Sequence, residues 1–223
     1  MGEVADAYAG CRARIAELTA QLDTERGLAA VPACPEWSVH DVVAHVVGVV
    51  DDALAGRLDG VATVPWTAAQ VAARRDVQIG DMLTAWDEQA PEFEALLDAM
   101  GDRGRQAVAD VVTHEHDVRG ALDAPGARDS DAVQIGCSFL ARGFVASAAS
   151  HGMAVRVRAD GVSFGDSDAT VVLNGNAFDL LRAMTGRRSV EQLRAMQWEG
   201  DSEQALPAFT FGPFCPAAVR IDE

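Results

Sequence analysis

The chain of 223 residues contains no lysine, so arginine supplies all 18 of its basic side chains, against 34 acidic ones. The formal net charge is −16 at pH 7. A surface this acidic repels the phosphate backbones of DNA and RNA. We therefore expect no nucleic-acid partner. Asparagine and tyrosine are also rare, which is typical of a GC-rich coding sequence and says little about function.

Long apolar runs are missing as well. A membrane helix needs roughly 18 or more apolar residues in succession. The longest candidate here, 42–50, is interrupted by His45 and followed by Asp51 and Asp52. The first ten residues carry two acids and no basic cluster, unlike a secretory signal. We expect a cytoplasmic protein with no membrane partner.

Cysteine is scarce and widely spaced. Cys11, Cys34, Cys137 and Cys215 form no CxxC pair and no dense disulfide framework. This spacing argues against a zinc ribbon and against a small disulfide-stapled domain. We expect reduced thiols, as in the cytosol.

The residues that are present indicate a globular chain that changes character near residue 151. About half of the residues are apolar, which is enough for a substantial core. Before this point apolar residues recur at helical spacing, whereas MAVRVRAD (153–160) alternates with period two, as in a half-exposed strand. The predicted fold class is α+β, with an antiparallel helical bundle at 1–151 and a small α+β domain at 152–223.

The start of the second helix has the clearest local signal. Ser38 has the side chain of an N-cap, and Asp41 stands three residues on, as a short version of the acid in a capping box. The preceding segment 31–38 contains two prolines and is predicted to be a loop. The helix should run from Val39 to about Arg57.

His45 lies in the middle of this helix among valines. It could be a core histidine whose ring nitrogens are hydrogen-bonded, or a metal ligand. Asp41 lies one turn earlier on the same face and could orient the imidazole. It could equally serve only the helix N-terminus, where negative charge is favourable.

A second helix pairs Asp110 with His114 at a spacing of four residues, which puts both side chains on one face. An imidazole and a carboxylate suit zinc and similar divalent metals. The pair could also be an ordinary surface contact. A bundle that placed His45 against Asp110 and His114 would form a metal site with two histidines and one carboxylate. Such a site would stay open to water or substrate. His116 points roughly 200° around the helix from His114, and Asp117 could accept a hydrogen bond from the His114 ring.

Two segments resemble the signatures of a known family. CPEWSVHDVVAHVVG (34–48) and DVVTHEHDVRGALDAP (110–125) are similar to motifs of the mycothiol-dependent maleylpyruvate isomerase family, whose fold is a DinB-like four-helix bundle. The segment from Leu180 to Arg187 resembles part of that family's small sterol-carrier-like domain. The resemblance implies that His45, Asp110 and His114 are metal ligands. The family usually has glutamate in place of Asp110, whose side chain is shorter by one methylene group.

The resemblance also implies two cofactors, a divalent metal, most simply zinc, and mycothiol, the thiol of actinobacteria. A thiol bound to a dication loses its proton near neutral pH and can attack a small electrophilic substrate. Isomerisation and S-transfer are both compatible with this chemistry. Glu115 and His116 are candidate proton shuttles beside His114, unless they are simply solvated. Arg119, Arg187 and Arg220 are candidate partners for the cofactor or an anionic substrate, unless they are ordinary surface cations.

Two other functions stay open at this point. The shorter Asp110 is compatible with a non-catalytic protein that binds a small ligand on the same scaffold. The acidic surface is compatible with a regulatory protein that binds a partner, although acidic bundles are usually just soluble. Either a monomer or a homodimer is possible.

Overall fold

The structure is a computed structural model and describes residues 2–223. The chain forms two compact units, which divide between Gly126 and Ala127. This division differs from the sequence-based boundary near residue 151. The helix at 131–150 belongs to the second unit, and its apolar spacing alone could not reveal which core it covers.

The first unit is a bundle of four long helices with short elements between them, so the predicted fold class is confirmed. In chain order its elements are α1 (Glu3–Thr19), α2 (Thr24–Gly27), β1 (Ala30–Val31), β2 (Cys34–Ser38), α3 (Val39–Leu54), α4 (Val64–Ala73), α5 (Ile79–Met100) and α6 (Arg105–Ala121). The long helices α1, α3, α5 and α6 pack against one another. Residues 2–126 therefore contain all four long helices of the bundle.

The core of this bundle is aromatic where α1 meets α5. Tyr8, Trp86 and Phe93 are almost fully buried. The Tyr8 and Phe93 rings meet edge to face, 4.9 Å apart, and the Trp86 indole donates a hydrogen bond of 3.1 Å to the Tyr8 hydroxyl. Large buried rings of this kind supply much of the hydrophobic stabilisation of a small core.

The start of α3 is fixed as the sequence predicted. Ser38 accepts a hydrogen bond from the Asp41 amide, and the Asp41 carboxylate accepts one from the Ser38 amide, which completes a capping box. The preceding segment is a short two-stranded sheet rather than a loop, with Ala30 paired to Ser38. A small apolar cluster of Val39, Val42 and Val118 holds the end of α6 against the start of α3. This packing places the middle of α3 beside α6.

The second unit is a small α+β fold. Its elements are α7 (Asp131–Ser150), β3 (Val155–Ala159), β4 (Val162–Gly165), β5 (Val171–Gly175), α8 (Ala177–Met184), α9 (Val190–Arg194), β6 (Gln197–Glu199) and α10 (Ser202–Ala205). The sheet has the order β4-β3-β5-β6, with β3 and β5 parallel and the outer pairs antiparallel. Along β3 the apolar side chains are buried and the two arginines are half-buried, as the alternating sequence predicted.

By length and composition, α7 is the one helix within residues 2–223 that could cross a membrane. Half of its apolar stretch is buried inside the protein. Core helices of water-soluble domains meet the same criterion, so this helix is weak evidence for a membrane span.

Candidate metal centre

The structure brings His45 of α3 together with Asp110 and His114 of α6. The two imidazole rings lie 4.9 Å apart, centroid to centroid. Asp110 Oδ1 lies 3.6 Å from His45 Nε2 and 3.8 Å from His114 Nε2. One ligand atom from each residue lies within 4.8 Å of the other two. The three residues predicted to be ligands therefore face one another, from helices about 65 residues apart in sequence.

Gln70 of α4 forms a hydrogen bond with the His45 ring. Its Oε1 lies 2.7 Å from His45 Nδ1, while its Nε2 donates a 2.7 Å hydrogen bond to Asp52 Oδ2. An aspartate carboxylate only accepts hydrogen bonds, so the amide nitrogen must face Asp52 and the oxygen must face His45. His45 Nδ1 is then the donor, so in the neutral ring the lone pair lies on Nε2, the nitrogen that faces Asp110 Oδ1. Two roles were considered for Asp41, orienting this ring and capping α3. The structure shows the cap.

Asp117 orients the His114 ring in the same way. Its Oδ2 lies 3.0 Å from His114 Nδ1 and accepts a second contact of 3.4 Å from the Cys34 thiol. Cys34, His114 and Asp117 also form a compact group of potential ligand atoms. Because hydrogen bonds already join these atoms, their geometry is that of an orienting network. Nδ1 of His114 donates, and its Nε2 also carries a lone pair.

The local environment favours neutral His114. Its side chain is almost fully buried, and burial lowers the pKa of the imidazole, an effect that the hydrogen bond to Asp117 and the charge of Asp110 oppose only in part. A neutral imidazole is the form that binds metals.

The resulting donor set fits a divalent metal. Two imidazole lone pairs and a carboxylate oxygen converge, and their separations of 3.6 and 3.8 Å are too long for hydrogen bonds. Ligands at the usual zinc distances in a tetrahedral site lie about 3.3 Å apart, which small side-chain movements would reach here. A cation between these three ligand atoms would be attracted by the carboxylate charge and by both imidazole lone pairs.

Tryptophan side chains line the histidine pair. The Trp37 ring lies 5.1 Å from the His45 ring and 5.7 Å from the His114 ring, and Trp66 of α4 meets His45 edge-on at 6.3 Å. Both histidines are buried, whereas the Asp110 side chain is 36% exposed. The cluster thus has apolar walls and is open at the carboxylate.

Comparison with known proteins shows the family to which the chain belongs. Residues 8–128, just over half of the chain, match the family model described as the mycothiol maleylpyruvate isomerase N-terminal domain. The chain belongs to the mycothiol maleylpyruvate isomerase family. The match contains α3, α4 and α6, and with them His45, Asp110 and His114.

Two solved structures share the fold. Both are crystal structures of the mycothiol-dependent maleylpyruvate isomerase, one of them a histidine-to-alanine mutant. The mutant gives a TM-score of 0.55 and the other structure 0.53, and each is 10% identical to this chain. In both cases the alignment covers 83% of this chain and 88% of the other. A search of curated proteins found no match.

Glu115, predicted as a proton shuttle, lies on another side of α6 and contacts α1. Its carboxylate accepts two hydrogen bonds from Arg14, of 2.8 and 2.7 Å, and one of 2.9 Å from Arg119. Burial alone would raise the pKa of Glu115, but the hydrogen bonds from Arg14 and Arg119 outweigh it and lower the pKa. In this family member Glu115 is a charged brace between two helices, and the structure does not bring it to the histidine pair.

The remaining predicted site residues are placed as follows. His116 is buried, and the two-residue spacing from His114 turns it to the other side of α6. Arg119 is occupied by Glu115 and by the Ala124 carbonyl, 3.0 Å away. Arg187 and Arg220 belong to the second unit, where Arg187 donates to the Thr185 carbonyl and Arg220 to the Asp222 carboxylate. Their proposed contacts with a cofactor remain predictions.

Sequence reasoning missed Gln70 and Asp52. Gln70 is the one buried residue of α4, and the rest of this helix is exposed or half-buried. A single buried polar residue on an otherwise exposed apolar helix is a signal, but it becomes visible only once burial is known.

Proposed function

We propose that this family member is a metal-dependent and mycothiol-dependent enzyme that isomerises a small electrophilic substrate, or transfers the thiol to it where the adduct is retained. The observation that supports it best is the convergence of His45 Nε2, His114 Nε2 and Asp110 Oδ1 at the exposed side of Asp110. The family assignment adds the thiol. Solved relatives with the same fold are named as mycothiol-dependent isomerases.

In this proposal His45, Asp110 and His114 hold the metal. A divalent metal bound there would lower the pKa of a coordinated thiol, so that a thiolate is available at neutral pH. Three protein ligands leave at least one coordination position free, which is the pattern of a catalytic rather than a structural zinc site. The shorter Asp110 lies close enough to both imidazoles to complete this set.

The other side chains of the cluster have orienting and shielding roles. Gln70 and Asp117 keep the two Nδ1 atoms protonated, so that both Nε2 atoms stay available as ligands. Trp37 and Trp66 cover the histidine rings and exclude water from one side of the site. The exposed side of Asp110 is where thiol and substrate would enter.

The first experiment measures zinc in purified protein by elemental analysis. We expect near-stoichiometric metal in the wild type and almost none in His45→Ala and His114→Ala, with the helical circular dichroism spectrum retained. His151→Ala, a substitution outside this cluster, is the matched control and should keep its metal. If both cluster variants retain full metal content, the ligand assignment is wrong.

The second experiment separates an enzyme from a ligand-binding protein. Zinc-loaded protein is mixed with mycothiol and a panel of small electrophiles, with maleylpyruvate among them, and product formation is followed by absorbance. Turnover that requires both metal and thiol supports the proposal. Bound metal without turnover of any pair would favour the non-catalytic alternative.

A further inference from the structure

We propose that Gln70 is a positioning residue that fixes the tautomer of His45, and that Asp52 and the glycine at position 48 make this possible. The inference rests on the proposed metal site but concerns the proton on the His45 ring, which exists with or without a metal. Gln70 does not touch the Asp110 side of the cluster. It acts through the far nitrogen of the imidazole.

The first support is a directional chain of hydrogen bonds. Arg57 Nε donates to Asp52 Oδ1 at 2.9 Å, Gln70 Nε2 donates to Asp52 Oδ2 at 2.7 Å, and His45 Nδ1 donates to Gln70 Oε1 at 2.7 Å. Each hydrogen bond has only one possible donor, because a guanidinium only donates and a carboxylate only accepts. Asp52 therefore binds the amide nitrogen of Gln70, and the amide oxygen is left to face His45. This determines which nitrogen of the neutral His45 ring carries the proton.

The second support is the unusual burial of α4. Gln70 is 4% exposed, although it is polar and its helix is otherwise at the surface. A buried amide is costly unless its donors and acceptor are bonded. Here one donor and the acceptor are engaged, by Asp52 and His45. The one residue that α4 buries is therefore the one that contacts the cluster by a hydrogen bond.

The third support is a steric clearance on α3. Gly48 lies opposite Gln70, and a Cβ added at position 48 would lie 2.6 Å from Gln70 Cβ and 2.9 Å from Arg74 Nη1. Real Cβ atoms do not approach other carbons this closely, so any larger residue would push α4 outwards. Gly48 is thus the position at which the backbone of α3 lets Gln70 reach His45.

The test uses two variants of the full chain and one matched control. Gln70→Leu removes the acceptor, and Gly48→Ala displaces it without changing either hydrogen-bonding partner. The matched control is Gln89→Leu. Gln89 is a half-buried glutamine that donates to Asp51, next to Asp52, and makes no contact of this kind with His45. Circular dichroism confirms that each variant is folded.

The main readout is the ring proton of His45. Long-range proton–nitrogen NMR spectra of metal-free, ¹⁵N-labelled protein distinguish a protonated ring nitrogen from one with a lone pair, and His45→Ala assigns the signals. At alkaline pH, where the ring is neutral, we expect His45 of the wild type and of Gln89→Leu to be protonated at Nδ1. We expect Gln70→Leu and Gly48→Ala to show a substantial Nε2-protonated population. An unchanged Nδ1-protonated ring in both variants would overturn the inference.

The second readout is zinc affinity, measured by competition with a chelator. Loss of a hydrogen-bonding partner behind a metal-bound histidine typically weakens metal binding about 10- to 100-fold, and we expect a loss in this range for Gln70→Leu and Gly48→Ala. Equal affinity in wild type and Gln70→Leu would overturn the inference while leaving the proposed function intact. If the wild type binds no zinc, the proposed function fails, and the NMR result still decides the role of Gln70.

Discussion

Replacing Glu115 by glutamine should destabilise the protein strongly without removing its metal. Glu115 has a fully buried side chain and accepts three hydrogen bonds, two from Arg14 and one from Arg119. Glutamine keeps the shape but removes the charge and turns one acceptor into a donor that faces an arginine. Removing one partner of a buried ion pair typically costs about 3–5 kcal/mol. Because Arg14 is partly exposed and can regain water, we expect about 3 kcal/mol.

The effect should depend on pH in a defined direction. The two arginines hold the pKa of Glu115 below its ordinary value of 4.5, so the folded state binds the proton less readily than the unfolded state does. The stabilisation is then fully present above pH 4.5 and is lost as the pH falls through the lower pKa of the folded state. The difference between wild type and Glu115→Gln should therefore be largest near neutral pH and shrink in acid.

Urea unfolding followed by circular dichroism measures both quantities. Asp102→Asn is the control, since Asp102 pairs with Arg105 at the surface with 93% of its side chain exposed; its removal should cost at most about 1 kcal/mol. A loss of thiol-dependent activity in Glu115→Gln with no loss of stability would refute the brace and restore Glu115 as a proton shuttle.

Three further substitutions test other parts of the account. Asp117→Ala removes the acceptor behind His114 and should weaken zinc binding about 10- to 100-fold in a chelator competition assay; unchanged affinity would show that Asp117 does not orient the ring. Asp110→Asn should lower the zinc content in elemental analysis, while the urea midpoint of the metal-free protein stays nearly constant; full occupancy would exclude the carboxylate as a ligand. Gly186→Ala places a Cβ against the Cys215 carbonyl at a φ of +79° and should cost about 1–3 kcal/mol in urea unfolding; a stability equal to the wild type would show that the turn relaxes freely.

Features set by short stretches of sequence could be predicted. The capping box of Ser38 and Asp41 depends on residues three apart, and the common face of Asp110 and His114 depends on residues four apart. Helical spacing alone fixes such relations. The approach of His45 to His114 needed more, namely that α3 and α6 pack in one bundle. The apolar spacing of the helices predicted that bundle, and the resemblance of the two motifs to a family implied that the three residues hold one metal.

Features set by packing between distant segments could not be predicted. Gln70 lies 25 residues from His45 in sequence, on a helix with no motif of its own, and only the packing against Gly48 brings the two together. Glu115 shows the same limit, since its neighbour His114 suggested chemistry, whereas its actual partner Arg14 lies 101 residues away on α1. The place of α7 in the second unit likewise depends on its contacts with α8.

The most direct test of the metal centre is a crystal structure of the zinc-loaded protein with anomalous data at the zinc edge. We predict a single strong anomalous peak in the first unit, about 2.0–2.2 Å from His45 Nε2, His114 Nε2 and a carboxylate oxygen of Asp110. A peak centred instead on Cys34 and Asp117, or the absence of any peak between the two histidines, would contradict the proposed site.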